Sequence, residues 1–320
     1  MNYINTHNLG REQWLALRRG GLGGSDVAAV LGLSPYRTAL DVYLEKTGEK
    51  QPAADNRRMQ AGRLLEDTVA NWWALHHGAR IRRDHKIRFH PRYKCLFGNI
   101  DRLIVANDKR GPGVLEVKTT SGYVYKQWQE SGLPPDTHCQ IMHYLNVTGH
   151  RWGRVAILVD GYDLHDIAVE YNTAFIRQMT ERLLDFWHNN IGKHQPPQPV
   201  NENDLKQLWP KADADKIIQA DATALQTIDK LVDVTARLAD LSDTKKELEL
   251  QIKLLLKDAT VLAAGDTTLA TWKQNRDGMK FDINKFRTEH PALYQNYTEM
   301  SPGSRRFLLK CGQEQSIENN

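Results

Sequence analysis

Cysteine is scarce in this sequence, and its few copies form no recognisable pattern. Cys95, Cys139 and Cys311 are widely spaced in a chain of 320 residues. An odd count without a Cys-x-x-Cys pair argues against a disulfide framework and against a structural zinc site. The sequence therefore predicts a protein of a reducing cytoplasm, held together by an apolar core.

Long apolar runs are also absent. No run approaches the ~18 residues that a membrane-spanning helix needs, and the polar segment Met1–Gly10 lacks the apolar stretch of a secretory signal. We therefore expect neither a membrane span nor export. Hydrophobic residues make up 40% and charged residues 26% of the chain. This composition excludes collagen-like and wholly disordered proteins and indicates a soluble globular one.

Charge is distributed unevenly along the chain. Residues 1–200 carry 26 Lys and Arg against 20 Asp and Glu, whereas residues 201–320 carry 17 against 19. The first part is therefore the better candidate for contact with a polyanion. Its most basic run has one acid, Asp84, among seven basic residues: Arg80, Arg82, Arg83, Lys86, Arg88, Arg92 and Lys94. Such a run is typical either of a solvated surface or of a surface that follows DNA phosphates.

A proline-rich segment divides the chain. Gln195–Val200 contains three prolines, which remove amide donors and oppose helix, so we interpret it as a linker. It separates a predicted domain, residues 1–194, from a C-terminal region, residues 201–320. In the predicted domain, runs rich in β-branched residues alternate with apolar-periodic stretches. This alternation predicts an α/β fold with a mixed central sheet covered by helices on both faces.

Heptads dominate the C-terminal region. One apolar series, interrupted by a lysine, is Leu231, Leu238, Lys245, Ile252 and Ala259. The second series, offset by three, is Val234, Leu241, Leu248, Leu255 and Leu262. This pattern predicts a long helix that either pairs with another chain or folds back on its own. A short unit of a hairpin and a helix is predicted to close the chain. Thr268–Lys273 and Arg305–Lys310 alternate as its strands would, and Asn275–Gly278 has turn residues.

The segment Val114–Thr119 carries the most informative polar residues. Successive side chains of a strand point to opposite faces, so Glu116 and Lys118 project together while Leu115 and Val117 face the other side. Alone, such a pair is most often an ordinary exposed ion pair on a strand. Its meaning depends on what lies beside it.

A second carboxylate is predicted to join this pair. Asp101 precedes an apolar run, and a hairpin through residues 107–113 would bring it next to Glu116. Carboxylates bind hard cations such as Mg²⁺, so Asp101 and Glu116, helped by the Val117 carbonyl, could hold one. Lys118 beside the metal could hold or activate a water. These groups would suit phosphodiester hydrolysis.

Other candidates stand outside this strand. Glu66 lies in an apolar helix and otherwise reads as a surface glutamate. Gln140 and Tyr144, four residues apart, share one helical face that could line the site or simply pack. The glycine loop before Ser25 leads into a helix start that could bind a phosphate, with Arg18 as a clamp; a plain helix cap and a solvated arginine are the alternatives.

Taken in order and spacing, these segments resemble the phage lambda exonuclease family, the YqaJ-like viral recombinases. The resemblance covers roughly residues 10–190 and rests on six segments: Trp14–Arg18, Gly23–Tyr36, Gly62–Glu66, Gly98–Asp101, Glu116–Lys118 and Gln140–Tyr144. It implies a restriction-endonuclease-like nuclease of the PD-(D/E)XK class. Such enzymes degrade duplex DNA from 5′ to 3′ with Mg²⁺, often as a ring-shaped homotrimer beside a single-strand annealing protein. Whether Mn²⁺ can replace Mg²⁺ in this chain stays open.

The resemblance also implies residue roles. Asp101 and Glu116 would bind the metal, Lys118 would position the water, and Glu66 would assist a second ion. Gln140 would line the site, while Arg18 and Ser25 would receive the 5′-phosphate. Two alternatives stay open: a structure- or site-specific endonuclease on the same core, and a DNA-binding scaffold without catalysis that recruits partners through its heptad helix.

Overall fold

The computed structural model describes residues 2–7, 9–51, 56–105, 110–301 and 303–310. The chain divides into two compact units, Met1–Leu208 and Trp209–Asn320. The first unit thus extends past the proline-rich segment by one short helix. The assignment of functions to the domains stays a prediction. No helix in the described part of the chain is long and apolar enough to cross a membrane.

The strands of the first unit form two sheets. They are β1 (Tyr3–Asn5), β2 (Arg80–Arg83), β3 (Lys86–Phe89), β4 (Phe97–Asn99), β5 (Arg102–Val105), β6 (Gly113–Thr120), β7 (Trp152–Val159) and β8 (Asp163–Glu170). The central sheet has the order β2-β5-β6-β7-β8, and the smaller one has the order β1-β3-β4. Only the β6–β7 pair is parallel among the described pairs of the central sheet. The central sheet is therefore mixed.

The helices of the first unit cover this sheet. They are α1 (Arg11–Arg19), α2 (Gly24–Val30), α3 (Ala39–Thr47), α4 (Arg57–His76), α5 (Gly122–Ser131), α6 (Pro135–Thr148), α7 (Thr173–Asp185) and α8 (Glu202–Leu208), with a π-helical turn at Phe186–Ile191. The connection from β6 to β7 runs through α5 and α6, as a parallel pair requires.

Local sequence explains where these helices begin and end. At the start of α3, the hydroxyl of Thr38 accepts from the Asp41 N–H, and the Asp41 carboxylate accepts from the Thr38 N–H. This reciprocal capping satisfies amides that the helix leaves free. After the last residue of α6, Gly149 has a positive φ of 74°, a conformation that glycine adopts without strain.

Each face of the central sheet has its own apolar layer. Val114 of β6 packs among α2, α3, α6 and α7, whereas the next residue, Leu115, packs on the face covered by α4. Both side chains are fully buried. The alternation of β6 therefore places Glu116 and Lys118 on the side of α6, as the sequence pattern predicts.

The second unit is dominated by one long helix. It contains α9 (Ala222–Leu256), a hairpin of β9 (Val261–Ala264) and β10 (Thr267–Thr271), α10 (Ile283–Glu289) and α11 (Pro291–Asn296). The heptad leucines of α9 are mostly exposed. The predicted long helix is confirmed, but it ends before Ala259 and Leu262, because the chain turns at Lys257 with a φ of 51°.

The predicted fold class is confirmed: a mixed five-stranded sheet flanked by helices, with a C-terminal helix and a short hairpin. The predicted pairing of that hairpin is wrong. β10 pairs with β9, through a turn at Gly265, and Arg305–Lys310 is not a strand. The sequence pattern did not predict β9, because Leu262 of this strand also fits the last position of the heptad series.

Candidate active site

The strand β6 presents a carboxylate and an ammonium on one face. The Nζ of Lys118 donates a hydrogen bond of 2.7 Å to Oε1 of Glu116. The Glu116 side chain is 2% exposed and that of Lys118 is 27% exposed. The pair therefore lies at the rim of the core and is no ordinary exposed ion pair, so the surface interpretation of this pair does not hold.

Asp101, just before β5, is bonded to the same strand. Its Oδ2 accepts a hydrogen bond of 2.9 Å from the Val117 N–H. Burial raises the pKa of Asp101 well above its usual value, and the negative charges of Glu116 and Glu66 raise it further. Three carboxylates therefore act on each other here, and a cation would relieve their repulsion.

The charge of Lys118 is stabilised by this cluster. Burial alone would lower the pKa of its ammonium, but the charges of Glu116 and Asp101 outweigh burial and raise the pKa above its usual value. Lys118 is thus a hydrogen-bond donor in this arrangement. A lysine has three N–H groups, and the bonds to Glu116 and Gln140 use two of them.

The donor set fits a hard cation. Oε2 of Glu116 is buried and has no hydrogen-bond partner within the described residues. A buried carboxylate oxygen without a partner is costly unless a cation or water completes it. No three His, Cys, Asp or Glu side chains of the described chain form a ready-made metal cluster. The two carboxylates of Asp101 and Glu116 match instead the Mg²⁺ pattern of few protein ligands completed by water and substrate.

Glu66 of α4 is held by an arginine. Its Oε1 accepts a hydrogen bond of 2.7 Å from Nη1 of Arg102, which also contacts Asp67 and the carbonyl of Asp101. Arg102 is 3% exposed. The charge of Glu66 raises the pKa of Asp101, but the residue to which Glu66 is hydrogen-bonded is Arg102. The sequence prediction overlooked Arg102, although its position directly after Asp101 was a usable signal.

Gln140 of α6 links Lys118 to a tyrosine. Its Oε1 accepts from Lys118 Nζ at 2.9 Å, and its Nε2 donates to the hydroxyl of Tyr144 at 3.0 Å. The Tyr144 ring packs so closely on Gly24 that a Cβ added there would lie 2.6 Å from a ring carbon. Gly24 therefore has no room for a side chain, which explains the glycine.

A small pocket adjoins this tyrosine. It is lined in part by Trp14, Arg18, Gly23, Gly24, Ser25 and Tyr144. Nη2 of Arg18 donates to Oγ of Ser25 at 2.8 Å, and the Arg18 guanidinium lies 4.7 Å from the centre of the Trp14 ring. The structure thus brings Arg18 and Ser25 together, and Tyr144 connects their pocket to the side chains around Lys118.

The basic run is partly neutralised within the molecule. Arg83 pairs with Asp67 at 3.0 Å, and Arg88 pairs with the buried Asp84. The Arg80 and Arg82 side chains are exposed on β2, at the edge of the central sheet. A charged edge strand also resists pairing with other chains. The run thus divides into structural and exposed residues.

Comparisons with known proteins place the chain. The sequence model of the YqaJ-like viral recombinase domain matches residues 13–151. The chain is 31% identical over 310 residues to the uncharacterized protein YqaJ of Bacillus subtilis (strain 168), covering 94% of this chain and 95% of that protein. This likeness extends over both units.

Solved structures resemble the chain more distantly. An alkaline exonuclease, LHK-Exo, of Laribacter hongkongensis is 20% identical, with a TM-score of 0.48 over 57% of this chain and 93% of that one. A phage related exonuclease of Haemophilus somnus 129PT is 10% identical, with a TM-score of 0.41 over 54% and 96%. By its sequence, the chain belongs to the YqaJ-like viral recombinase family.

Proposed function

We propose that the protein is a metal-dependent deoxyribonuclease that degrades linear double-stranded DNA from its 5′ ends and leaves 3′ single strands. The observation that carries this proposal is the convergence of two carboxylates on β6: the buried Glu116 is bonded to Lys118, and the half-buried Asp101 is bonded to the Val117 N–H between them. The pocket of Arg18 and Ser25 adjoins these groups through Tyr144 and Gln140. Membership of a viral recombinase family supports it, because recombination uses single-stranded 3′ tails.

Mg²⁺ is the proposed cofactor, with Mn²⁺ as an alternative. Asp101 and Glu116 would hold it, with the Val117 carbonyl as a further ligand and Glu66 as a ligand of a second ion. A bound Mg²⁺ supplies charge stabilisation at the phosphoryl group and makes water a better nucleophile. The partnerless Oε2 of Glu116 supports this assignment.

The chain's own groups would orient the reaction. Glu116 and Gln140 fix two N–H groups of Lys118, so we propose that the third donates to the attacking water or to a phosphate oxygen of the scissile bond. Tyr144 holds Gln140 through its hydroxyl and thereby fixes the orientation of the amide. Side chains held in this way lose little freedom when substrate binds.

Polarity would follow from the adjoining pocket. Arg18 and Ser25 present a guanidinium and a hydroxyl next to the first N–H groups of α2, which together suit a terminal phosphate. A 5′-phosphate bound there would place the neighbouring phosphodiester bond toward Lys118. Exposed arginines such as Arg80 and Arg82 would contact the duplex backbone without regard to sequence.

Two partners are proposed on the family resemblance. Copies of the chain would enclose the duplex as a homo-oligomer, a trimeric ring being the form we propose. A single-strand annealing protein would take up the 3′ strand. Sizing of the protein with and without DNA, and co-purification with the annealing protein of the same recombination system, test these two proposals.

Digestion of defined DNA ends tests the proposed activity. Linear duplexes with a 5′-phosphate should be degraded in Mg²⁺ faster than the same duplexes with a 5′-hydroxyl, and closed circles should survive. Degradation of circles at the same rate would indicate an endonuclease. Unchanged degradation by Glu116→Ala and Lys118→Ala would contradict the proposed active site. No degradation by the wild type in Mg²⁺ or Mn²⁺ would leave only a DNA-binding scaffold.

A further inference from the structure

A buried ion pair lies beneath the proposed phosphate pocket. Lys46 of α3 places its Nζ 2.7 Å from Oδ2 of Asp26, near the start of α2. The Lys46 side chain is 5% exposed and that of Asp26 is 1% exposed. Neither residue lines the pocket, and neither is among the groups assigned above.

The lysine ties α3 to the end of α1. Its Nζ donates a second hydrogen bond, of 2.8 Å, to the backbone carbonyl of Arg18. It also lies 5.8 Å from the centre of the Phe97 ring, whose edge packs on Gly23. The backbone of the pocket's arginine is therefore anchored from below by one ammonium group.

The aspartate ties the same group to the start of α2. Its Oδ2 accepts a hydrogen bond of 3.0 Å from the Gly23 N–H, and its Oδ1 lies 3.4 Å from Nη1 of Arg37. Ser25 is the next residue before Asp26. The ion pair thus holds the end of α1 and the start of α2, which flank the glycine loop. The hydrogen bond from the Arg18 side chain to Ser25 joins the same two elements.

The pair is held despite a cost. Burial would raise the pKa of Asp26, but the charges of Lys46, Arg18 and Arg37 outweigh it and lower the pKa to about 2. Burial lowers the pKa of Lys46 in spite of Asp26. A buried ion pair of this kind adds little net stability compared with apolar residues of similar size. A gain in stability therefore does not account for the pair, and its effect on the position of the backbone is the better explanation.

We propose that Lys46 and Asp26 form a positioning pair that sets the selectivity of the pocket for 5′-phosphorylated DNA ends. The inference rests on the proposed function. Arg18 can bind a phosphate together with Ser25 only if the two backbones keep their relative position. The ion pair holds both, because Lys46 is bonded to the Arg18 carbonyl and Asp26 to the Gly23 N–H. Small displacements of such groups have large effects on rate.

Replacement of both charged residues by neutral ones distinguishes an effect on the position of Arg18 from an effect on the stability of the fold. The double variant D26N/K46M removes both charges at similar size, so it avoids leaving one buried charge alone. Its control is R154M/D166N, which removes a half-buried ion pair of 2.6 Å joining β7 to β8 on the face of the sheet covered by α4, together with the contact of Asp166 with His77. Urea denaturation of each full-length variant measures stability.

The readout is the ratio of initial degradation rates for 5′-phosphate and 5′-hydroxyl duplexes in Mg²⁺. We expect this ratio to fall by about tenfold in D26N/K46M, mainly through KM for the phosphorylated end, and to stay at the wild-type value in R154M/D166N. A folded D26N/K46M with the wild-type ratio overturns the inference.

Two further variants complete the test. Asp26→Asn alone retains the size of the side chain and an oxygen that can accept from the Gly23 N–H. If the double variant does not fold, this single variant should show a smaller loss of the same ratio. A wild-type ratio in the single variant overturns the inference. Arg18→Ala should abolish the preference. If Arg18→Ala abolishes it and the double variant does not change it, the inference alone fails. If the wild type has no preference, the proposed pocket fails as well.

Discussion

Asp101 and Val117 are joined by a 2.9 Å hydrogen bond from the Val117 N–H to the Asp101 carboxylate. Because Val117 lies between Glu116 and Lys118, this bond holds the carboxylate that precedes β5 beside both polar groups of β6. The charge of Glu116 therefore raises the pKa of both Asp101 and Lys118, and the charge of Asp101 also raises the pKa of Lys118.

Replacement of Asp101 by asparagine should stabilise the protein and abolish its activity. The pKa of Asp101 is raised by burial and by the charges of Glu116 and Glu66, so the ionised side chain works against folding at neutral pH. The amide oxygen of asparagine can still accept from Val117. We expect the melting temperature without metal to rise by about 2 °C or more. A lower melting temperature would contradict the repulsion inferred here.

Addition of Mg²⁺ should stabilise the wild type and leave a double variant, D101N/E116Q, unchanged. A cation that binds only the folded state stabilises it by about 2.7 kcal/mol at a concentration of 100 times its Kd. Thermal denaturation over a range of Mg²⁺ concentrations, together with calorimetric titration, measures this effect. Lys118→Met is the control, because it should lose activity by about 100-fold or more and retain the Mg²⁺ response.

Arg102 should matter far more to stability than Arg83, although both contact Asp67. Arg102 is buried and bonded to Glu66, whereas the Arg83 and Asp67 side chains are both more than half exposed. Loss of one partner from a buried pair costs about 3 kcal/mol, whereas an exposed pair contributes less than about 1 kcal/mol. Urea denaturation of Arg102→Met and Arg83→Met compares them, and equal losses would refute the distinction.

Strand alternation made the centre of the site predictable from the sequence. Val114, Leu115 and Val117 are apolar at positions that face the two cores, so Glu116 and Lys118 could only emerge together toward one side. Asp101 followed from the expected antiparallel pairing of β5 with β6, which the structure has. Residues 107–109 of the predicted connecting loop lie outside the described residues. These inferences needed only local periodicity and one short connection.

Contacts between distant elements were beyond such reasoning. Lys46 of α3 forms an ion pair with Asp26 of α2, and Arg102 of β5 forms one with Glu66 of α4. Nothing in the local pattern of α3 marks Lys46 as buried, because a lysine in a helix is usually solvated. The partner of β10 was missed for a related reason, since a heptad pattern does not record where its helix ends.

The pH dependence of stability should reveal a buried histidine. His143 of α6 is fully buried and its Nε2 lies 2.8 Å from the Phe97 carbonyl; Asp26 and His90 also act on it electrostatically. Burial lowers its pKa from 6.5 to about 4, although the bond to Phe97 opposes this shift. The neutral ring is therefore the form that fits the folded state.

The expected sign follows from proton uptake. Above pH 6.5 the ring is neutral in both states, and between pH 6.5 and 4 only the unfolded chain gains the proton, so the free energy of unfolding should fall as the pH falls through this interval. The total contribution is about 3 kcal/mol. Urea denaturation of the wild type and His143→Gln at several pH values measures it. Because glutamine does not titrate, the variant should lose this part of the slope, and an unchanged slope would show that other groups cause it.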